Sequence, residues 1–165
     1  MASHSPEQRK DHLLRELASA RKALLAAARG LPVPKRRKVF LGIWSPRHLV
    51  SHLVGWDSTN LRACTEVLAG RLPSFYKHHD PDWAAYNKSF VAKYNRGSYE
   101  RLVIAAERSH QRLLARLERI PAVDITRDRG IRFRGWRVTI ERLLAAEAAD
   151  ERTHLEQLRR FARIP

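Results

Sequence analysis

The chain has 165 residues, 44% of them apolar and 30% charged, with a single cysteine; it is too apolar for a disordered protein and cannot be stapled by an internal disulfide. No apolar run approaches the roughly 18–20 residues that cross a bilayer, and the N-terminal MASHSPEQRK lacks the apolar stretch of a secretory signal. Lysine and arginine outnumber aspartate and glutamate 32 to 17, a net charge of +15 spread over both halves, which makes nucleic acid or another polyanion a candidate partner.

These features predict one cytoplasmic domain over residues 1–165, with no membrane contact and Cys64 as a small helix filler. Ser5 and Pro6 open the first helix, Gln8 stands in the capping-box position, and Gly30 closes it. Its apolar stripe is Leu13, Leu17, Ala20, Leu24 and Leu25. A long loop from Leu31 to Ser45 follows, containing the basic cluster Lys35–Lys38. Ser45 and Pro46 start the second helix, which runs to about Ala69 and stops at Gly70.

A shorter third helix starts at Asp80–Pro81 and stops at Gly97, and the fourth runs from Ser98 to the break at Pro121. Residues 129–138 alternate Ile131 and Phe133 with arginines, an extended stretch that enters the last helix near Trp136–Thr139. Four long amphipathic helices, a shorter one and long crossover loops predict an all-α, antiparallel four-helix bundle.

Two of these helices are polar where they should be apolar. Leu49, Leu53 and Trp56 form one stripe on the second helix, and His52 lies inside it. The stripe of the last helix is apolar at both ends, from Ile140 and Leu144 to Leu155 and Leu158, but carries Glu147, Asp150, Glu151 and His154 between. Asp150 and His154 stand i, i+4, a spacing that lets two side chains converge on one ion. With His52 they would supply two imidazoles and a carboxylate to zinc, nickel or iron, leaving coordination positions open for chemistry. The alternative is structural: His52 as a hydrogen-bonded core residue and Asp150 as an ordinary ion-pair partner. His48, in the first turn, is expected on the rim, and the adjacent His78 and His79 are expected to point apart.

In order, the stretch W-S-x-x-x-L-x-x-H-L-x-x-W (Trp44, Ser45, Leu49, His52, Leu53, Trp56), the segment D-x-D-W-x-x-Y-N (Asp80, Asp82, Trp83, Tyr86, Asn87) and the pair Asp150 and His154 resemble the DinB-like superfamily of four-helix bundles, and within it the ClbS/DfsB-type branch. The resemblance spans roughly residues 10 to 163. It implies a divalent-metal site built from one histidine of the second helix and an H-x-x-x-H pair of the last. His52 and His154 match the first and third positions, and Asp150 replaces the middle histidine. Relatives in the superfamily include metal-dependent transferases using low-molecular-weight thiols, a thiol-dependent isomerase, and a hydrolase that opens a strained ring in a genotoxin. Members of the ClbS type need not keep the metal triad.

Three functions compete. The first is a metal-dependent enzyme, a hydrolase or thiol S-transferase acting on an electrophilic small molecule in detoxification or resistance. Glu147 or Glu151 would then be the catalytic base, with Trp56, Trp83 and Tyr86 walling the cofactor and substrate pocket. The second is a non-catalytic binder of nucleic acid, its basic face formed by Arg127, Arg129, Arg132, Arg134 and Arg137 with Lys35–Lys38 if the two loops meet at one end of the bundle. The third is a structural or regulatory homodimer pairing through a Leu/Ala stripe.

Overall fold

The computed structural model describes residues 4–79 and 82–164. Six helices, α1 (Pro6–Arg29), α2 (Pro46–Leu68), α3 (Trp83–Tyr94), α4 (Tyr99–Glu118), α5 (Ala122–Thr126) and α6 (Ile140–Arg163), are joined by two short 3-10 turns at Val33–Arg37 and Ser74–His78 and by one hairpin. The predicted start of the third helix at Asp80–Pro81 lies outside the described residues; α3 itself begins at Trp83, after Asp82.

Local chemistry sets the helix ends. Ser5 Oγ accepts the Gln8 N–H while the Gln8 side chain accepts the Ser5 N–H, a reciprocal cap. At Ser45 the reciprocal partner is His48, whose Nδ1 accepts the Ser45 N–H at 3.3 Å; His48 therefore serves the helix end. Ser98 and Thr139 cap α4 and α6 one way only, each side-chain oxygen accepting an N–H, from Arg101 and Arg142 respectively. The last helix starts at Ile140 and not earlier, because Trp136–Arg137 (β2) pairs antiparallel with Arg132–Phe133 (β1). Arg134 and Gly135 turn this hairpin with φ of 50° and 83°, the geometry of a type I′ turn.

The four long helices pack as two parallel pairs running opposite ways. α1 lies along α6, α2 lies along α4, and α1 also packs on α4 as α2 does on α6. α1 and α2 therefore face each other across the diagonal. One end of the core joins Leu24, Leu25 and Ala28 of α1 to Leu49, Val50, Leu53, Leu102, Val103, Leu155 and Leu158. The other joins Leu13 and Leu17 to Leu113, Leu117, Ile140 and Leu144, with Cys64 buried beside them and its thiol pushed up to about 12 by burial. The parallel α2–α4 connection must travel the length of the bundle, and α3 occupies that return path along α2. A Cβ on Gly55 would sit 2.2 Å from the Phe90 ring, so the close α2–α3 approach requires glycine there.

Arg21 sits at the level where the two apolar halves meet, inside the stripe of α1 and 2% exposed. All five of its N–H groups are satisfied: Nη1 donates to Asp57 Oδ2 (2.8 Å) and the Ala106 carbonyl (3.1 Å), Nη2 to Asp57 Oδ1 (3.0 Å) and Glu151 Oε1 (2.6 Å), and Nε to Glu151 Oε1 (3.0 Å). Ser109 Oγ donates to Asp57, and His110 Nδ1 lies 3.6 Å from the same carboxylate. One residue thus ties α1, α2, α4 and α6 together.

The two basic clusters do not meet. Lys35 donates to the Ala162 carbonyl and Arg36 pairs with Glu100, at the end formed by the close of α6 and the start of α4. The hairpin arginines are at the opposite end, where Ile131 and Val138 join the Leu13–Leu117 half of the core. Several are paired locally, Arg129 with Asp124 and Arg132 with Asp128. The expected composite basic face is not formed, because the chain traverses the whole bundle between the two loops.

Removing the charge at the centre should be costly. Arg21→Met leaves two buried carboxylates unpaired and is expected to lower unfolding free energy by about 3–5 kcal/mol, measured by urea titration. Burial would raise the Asp57 carboxyl, but Arg21 holds it below its ordinary value. The resulting stability is fully present above an unfolded carboxylate value of about 3.9 and is lost as pH falls through the depressed folded value. Acid unfolding of the wild type should steepen below that point, and Arg21→Met should lack this contribution.

Candidate metal centre and cavity

A cavity of about 400 Å³ opens between α2, α3 and α6. Trp44, His52, Trp56, Phe75, Tyr76 and Trp83 form most of its wall, with Asn60, Asn87, His79, Glu147, Asp150 and His154 as its polar lining. Trp44 is delivered by a tight turn at Gly42, whose φ is +58°, and its ring lies 4.8 Å from that of His52.

The three metal-ligating candidates converge here. His52, Asp150 and His154 each offer a donor atom, all within 4.8 Å of one another. Asp150 Oδ2 lies 3.2 Å from His154 Nε2, and His154 Nδ1 is 2.8 Å from Gln157 Oε1. With Nδ1–H donating to that amide oxygen, the ring is fixed and Nε2 faces Asp150 and the cavity. His52 is buried, its Nδ1 has no hydrogen-bond partner among the described residues, and its ring is 5.6 Å from that of His154.

Electrostatics separate the two imidazoles. Burial pushes His52 down to about 3, and the neighbouring His154 lowers it further. Burial also opposes charge on His154, yet hydrogen bonding and attraction to Asp150 raise it above its ordinary value. Asp150, which burial alone would raise, is held low by His154. The donor set therefore fits a cation: one neutral imidazole, one imidazole held by its partners, and a carboxylate that stays ionised.

The two glutamates part company. Glu147 lines the cavity, and burial with the Glu151 carboxylate as neighbour pushes it up to about 8. Glu151, fully buried, is committed to Arg21 and is not part of the cavity wall, so the expectation that either glutamate could serve as base narrows to Glu147. Of the aromatic residues, Trp56 and Trp83 do wall the cavity, their rings 5.2 Å apart. Trp56 Nε1 donates to Asn87 Oδ1 at 3.1 Å. Tyr86 stands behind them: its hydroxyl is 3.2 Å from Thr59 Oγ1 and its ring packs on Phe90 and His78. His78 stacks on Tyr86 while His79 reaches the cavity, so the adjacent histidines point apart as expected.

Arg21, Asp57 and His110 were absent from the sequence-derived site, although each interrupts an apolar stripe: Arg21 lies four residues after Leu17, and His110 three before Leu113. Asn60 and Phe75 carried no comparable signal, since their place in the wall depends on how α2 meets the turn at Ser74–His78.

The sequence profile of the DinB superfamily matches residues 13–158. The chain belongs to the DinB superfamily. Its fold is similar to that of the colibactin self-resistance protein ClbS, crystallised in complex with a dsDNA, with a TM-score of 0.77 at 19% identity over 94% of this chain and 96% of that one. It is also similar to the sibling lethal factor precursor DfsB, with a TM-score of 0.71 at 16% identity over 92% and 94% of the two chains. An uncharacterised protein of Clostridium difficile 630 shares the fold with a TM-score of 0.73 at 12% identity, covering 99% of both chains. No curated protein matches the sequence significantly. Among the described residues of this DinB-superfamily chain, no helix is long and apolar enough to cross a membrane.

The shifts at the triad give a direct expectation for the metal-free protein. NMR of the imidazole groups should show His52 neutral down to about pH 3 while His154 protonates above the ordinary histidine value. Because the folded value of His52 is depressed, its contribution to stability is present above about pH 6.5 and is lost on acidification.

Proposed function

We propose that this chain is a divalent-metal-dependent enzyme that transfers a thiol to, or hydrolyses, an electrophilic small molecule, in a detoxification or resistance role. The observation that carries this is the set of three donors, His52, Asp150 and His154, within 4.8 Å of one another on the wall of an aromatic cavity that also holds Glu147. Zinc, nickel and iron all suit two imidazoles and a carboxylate. Such an ion supplies Lewis acidity and a lowered pKa for a water or a low-molecular-weight thiol bound in an open position.

The chain's own residues would do the rest. Glu147, held near neutrality by its buried setting, takes the proton from the nucleophile as the nucleophile bonds to the electrophilic carbon. The proton then passes to the atom that leaves that carbon, which completes either hydrolysis or thiol transfer. Asn60, whose amide nitrogen has no hydrogen-bond partner among the described residues, is available to orient a polar group of the substrate. Trp44, Trp56 and Trp83 cover its apolar part and keep bulk water out.

Elemental analysis of protein purified without an affinity tag should find about one equivalent of metal in the wild type and none in His52→Ala. Glu147→Gln should keep the metal and lose about 10²–10⁴ in turnover of a model electrophile such as an epoxide, with water or a small thiol as nucleophile. Absence of metal from the wild type, even after reconstitution, would overturn this reading.

A second reading is a basic bundle that binds nucleic acid. It is favoured by the net charge of +15 and by the fold shared with ClbS, a protein crystallised with a dsDNA. Its test is retention of duplex DNA that weakens steeply with added salt, because phosphate contacts release counterions.

A further inference from the structure

We infer that the outer face of α4 is a docking surface for the phosphate backbone of double-stranded nucleic acid, an inference that rests on the second reading above and is independent of the metal centre. Arg101, Arg108, Arg112 and Arg116 are all exposed. Arg108, Arg112 and Arg116 follow one another at i, i+4, and Arg101 lies two turns earlier on the same face. Arg101, Arg108 and Arg112 line a shallow groove with Val54 of α2. Arg116 is close enough to α2 to act on the Cys64 thiol. The ridge therefore follows the α2 side of α4.

Its charge is uncompensated. Among the described residues, no carboxylate lies within ion-pair distance of any of the four. Glu107, the one carboxylate between Arg101 and Arg116 in sequence, turns to Arg29 of α1 at 2.8 Å. Like charges at i, i+4 destabilise a helix, so the row is sustained against local preference and suits an external anion. The basic clusters at the two ends of the bundle differ, since Arg36, Arg129 and Arg132 are each paired to a carboxylate of their own neighbourhood.

The form of the ridge selects the partner. From Arg101 to Arg116 a straight helix extends about 22 Å, which matches about six base pairs of duplex at 3.4 Å each. A rigid row of one sign suits a uniformly charged rod. A membrane surface would require an apolar face beside the charges, and the apolar face of α4 is buried, with Leu102, Val103, Ala106, Leu113 and Leu117 all in the core. Ile104, at 43% exposure, is the only large apolar side chain presented along the ridge among the described residues.

The experiment is titration of a fluorescent mixed-sequence DNA duplex with the full chain, read by anisotropy at salt concentrations between about 50 and 200 mM. The variant Arg108→Gln/Arg112→Gln/Arg116→Gln should weaken binding at least roughly tenfold and make the log–log salt slope shallower by about 2–3. Arg127→Gln/Arg132→Gln/Arg137→Gln removes the same net charge from the hairpin end and should change the slope by less than about half as much. Circular dichroism checks that both variants stay folded. Equal losses in the two variants, or ridge-dependent binding of anionic vesicles in place of duplex, would overturn the surface assignment. Wild-type binding that the ridge variant leaves unchanged overturns the surface alone, whereas no wild-type binding overturns the nucleic-acid reading with it.

Discussion

The Arg21 guanidinium fixes the geometry on which the candidate site depends. It grips Asp57 of α2 through two parallel hydrogen bonds and Glu151 of α6 through two more, at the crossing level of the bundle. His52 stands five residues before Asp57, and His154 three residues after Glu151. Since α2 and α6 run in opposite directions, pinning Asp57 against Glu151 carries His52 and His154 to the same height, on the same side of the ion pair. Apolar packing alone tolerates small slips of one helix past another, whereas a planar fork with five directed donors does not. A buried ion pair contributes little net stability compared with a well-packed apolar substitute, so its role here is to specify register.

The same group shapes the electrostatics of the cavity. Asp57 and Glu151 bring two negative charges to one Arg21, and among the described residues Oε2 of Glu151 has no hydrogen-bond partner. Glu147 sits one turn from that surplus on α6, which helps to explain a carboxyl raised towards neutrality. Asp150, next to Glu151 in sequence but turned to the other side of α6, has His154 for company and stays low. Three carboxylates within little more than one turn of one helix thus hold different protonation preferences: one ion-paired inside, one raised at the cavity wall, and one ionised beside a histidine. Separation of this kind is what acid–base chemistry near neutral pH requires.

The helices were legible because their ends are chemical. Ser5–Pro6, Ser45–Pro46 and Ser98 announce caps, and Leu13, Leu17, Leu24 and Leu25 announce a buried stripe that the structure retains. The meeting of His52 with His154 was legible too, since each interrupts the apolar stripe of its helix. Which way a neighbouring side chain turns was not. Glu147 and Glu151 occupy one face at i, i+4, and only the position of Arg21, 130 residues away from Glu151, decides that one reaches the cavity and the other does not. Tyr86 shares the helix of Trp83 at i, i+3 and is drawn away by Thr59 and Phe90. The placement of the two basic loops depended on topology, because a diagonal α1–α2 link and a parallel α2–α4 link cannot be told apart by periodicity.

Burial also redistributes charge between interior and surface. The central cluster hides two carboxylates against one guanidinium, so the exposed surface is more basic than the formal net charge of +15. At the hairpin and the loop after α1, Arg36, Arg129 and Arg132 are each neutralised locally by a carboxylate. α4 escapes this because its buried face is apolar except at Ser109 and His110, and its one internal glutamate is drawn to α1. An acid-rich centre that organises a cavity and an arginine-lined exterior are therefore two consequences of one arrangement. Gathering Asp57 and Glu151 around Arg21 places the catalytic candidates on the α2–α6 side and leaves the α2–α4 side with an unopposed row of positive charge.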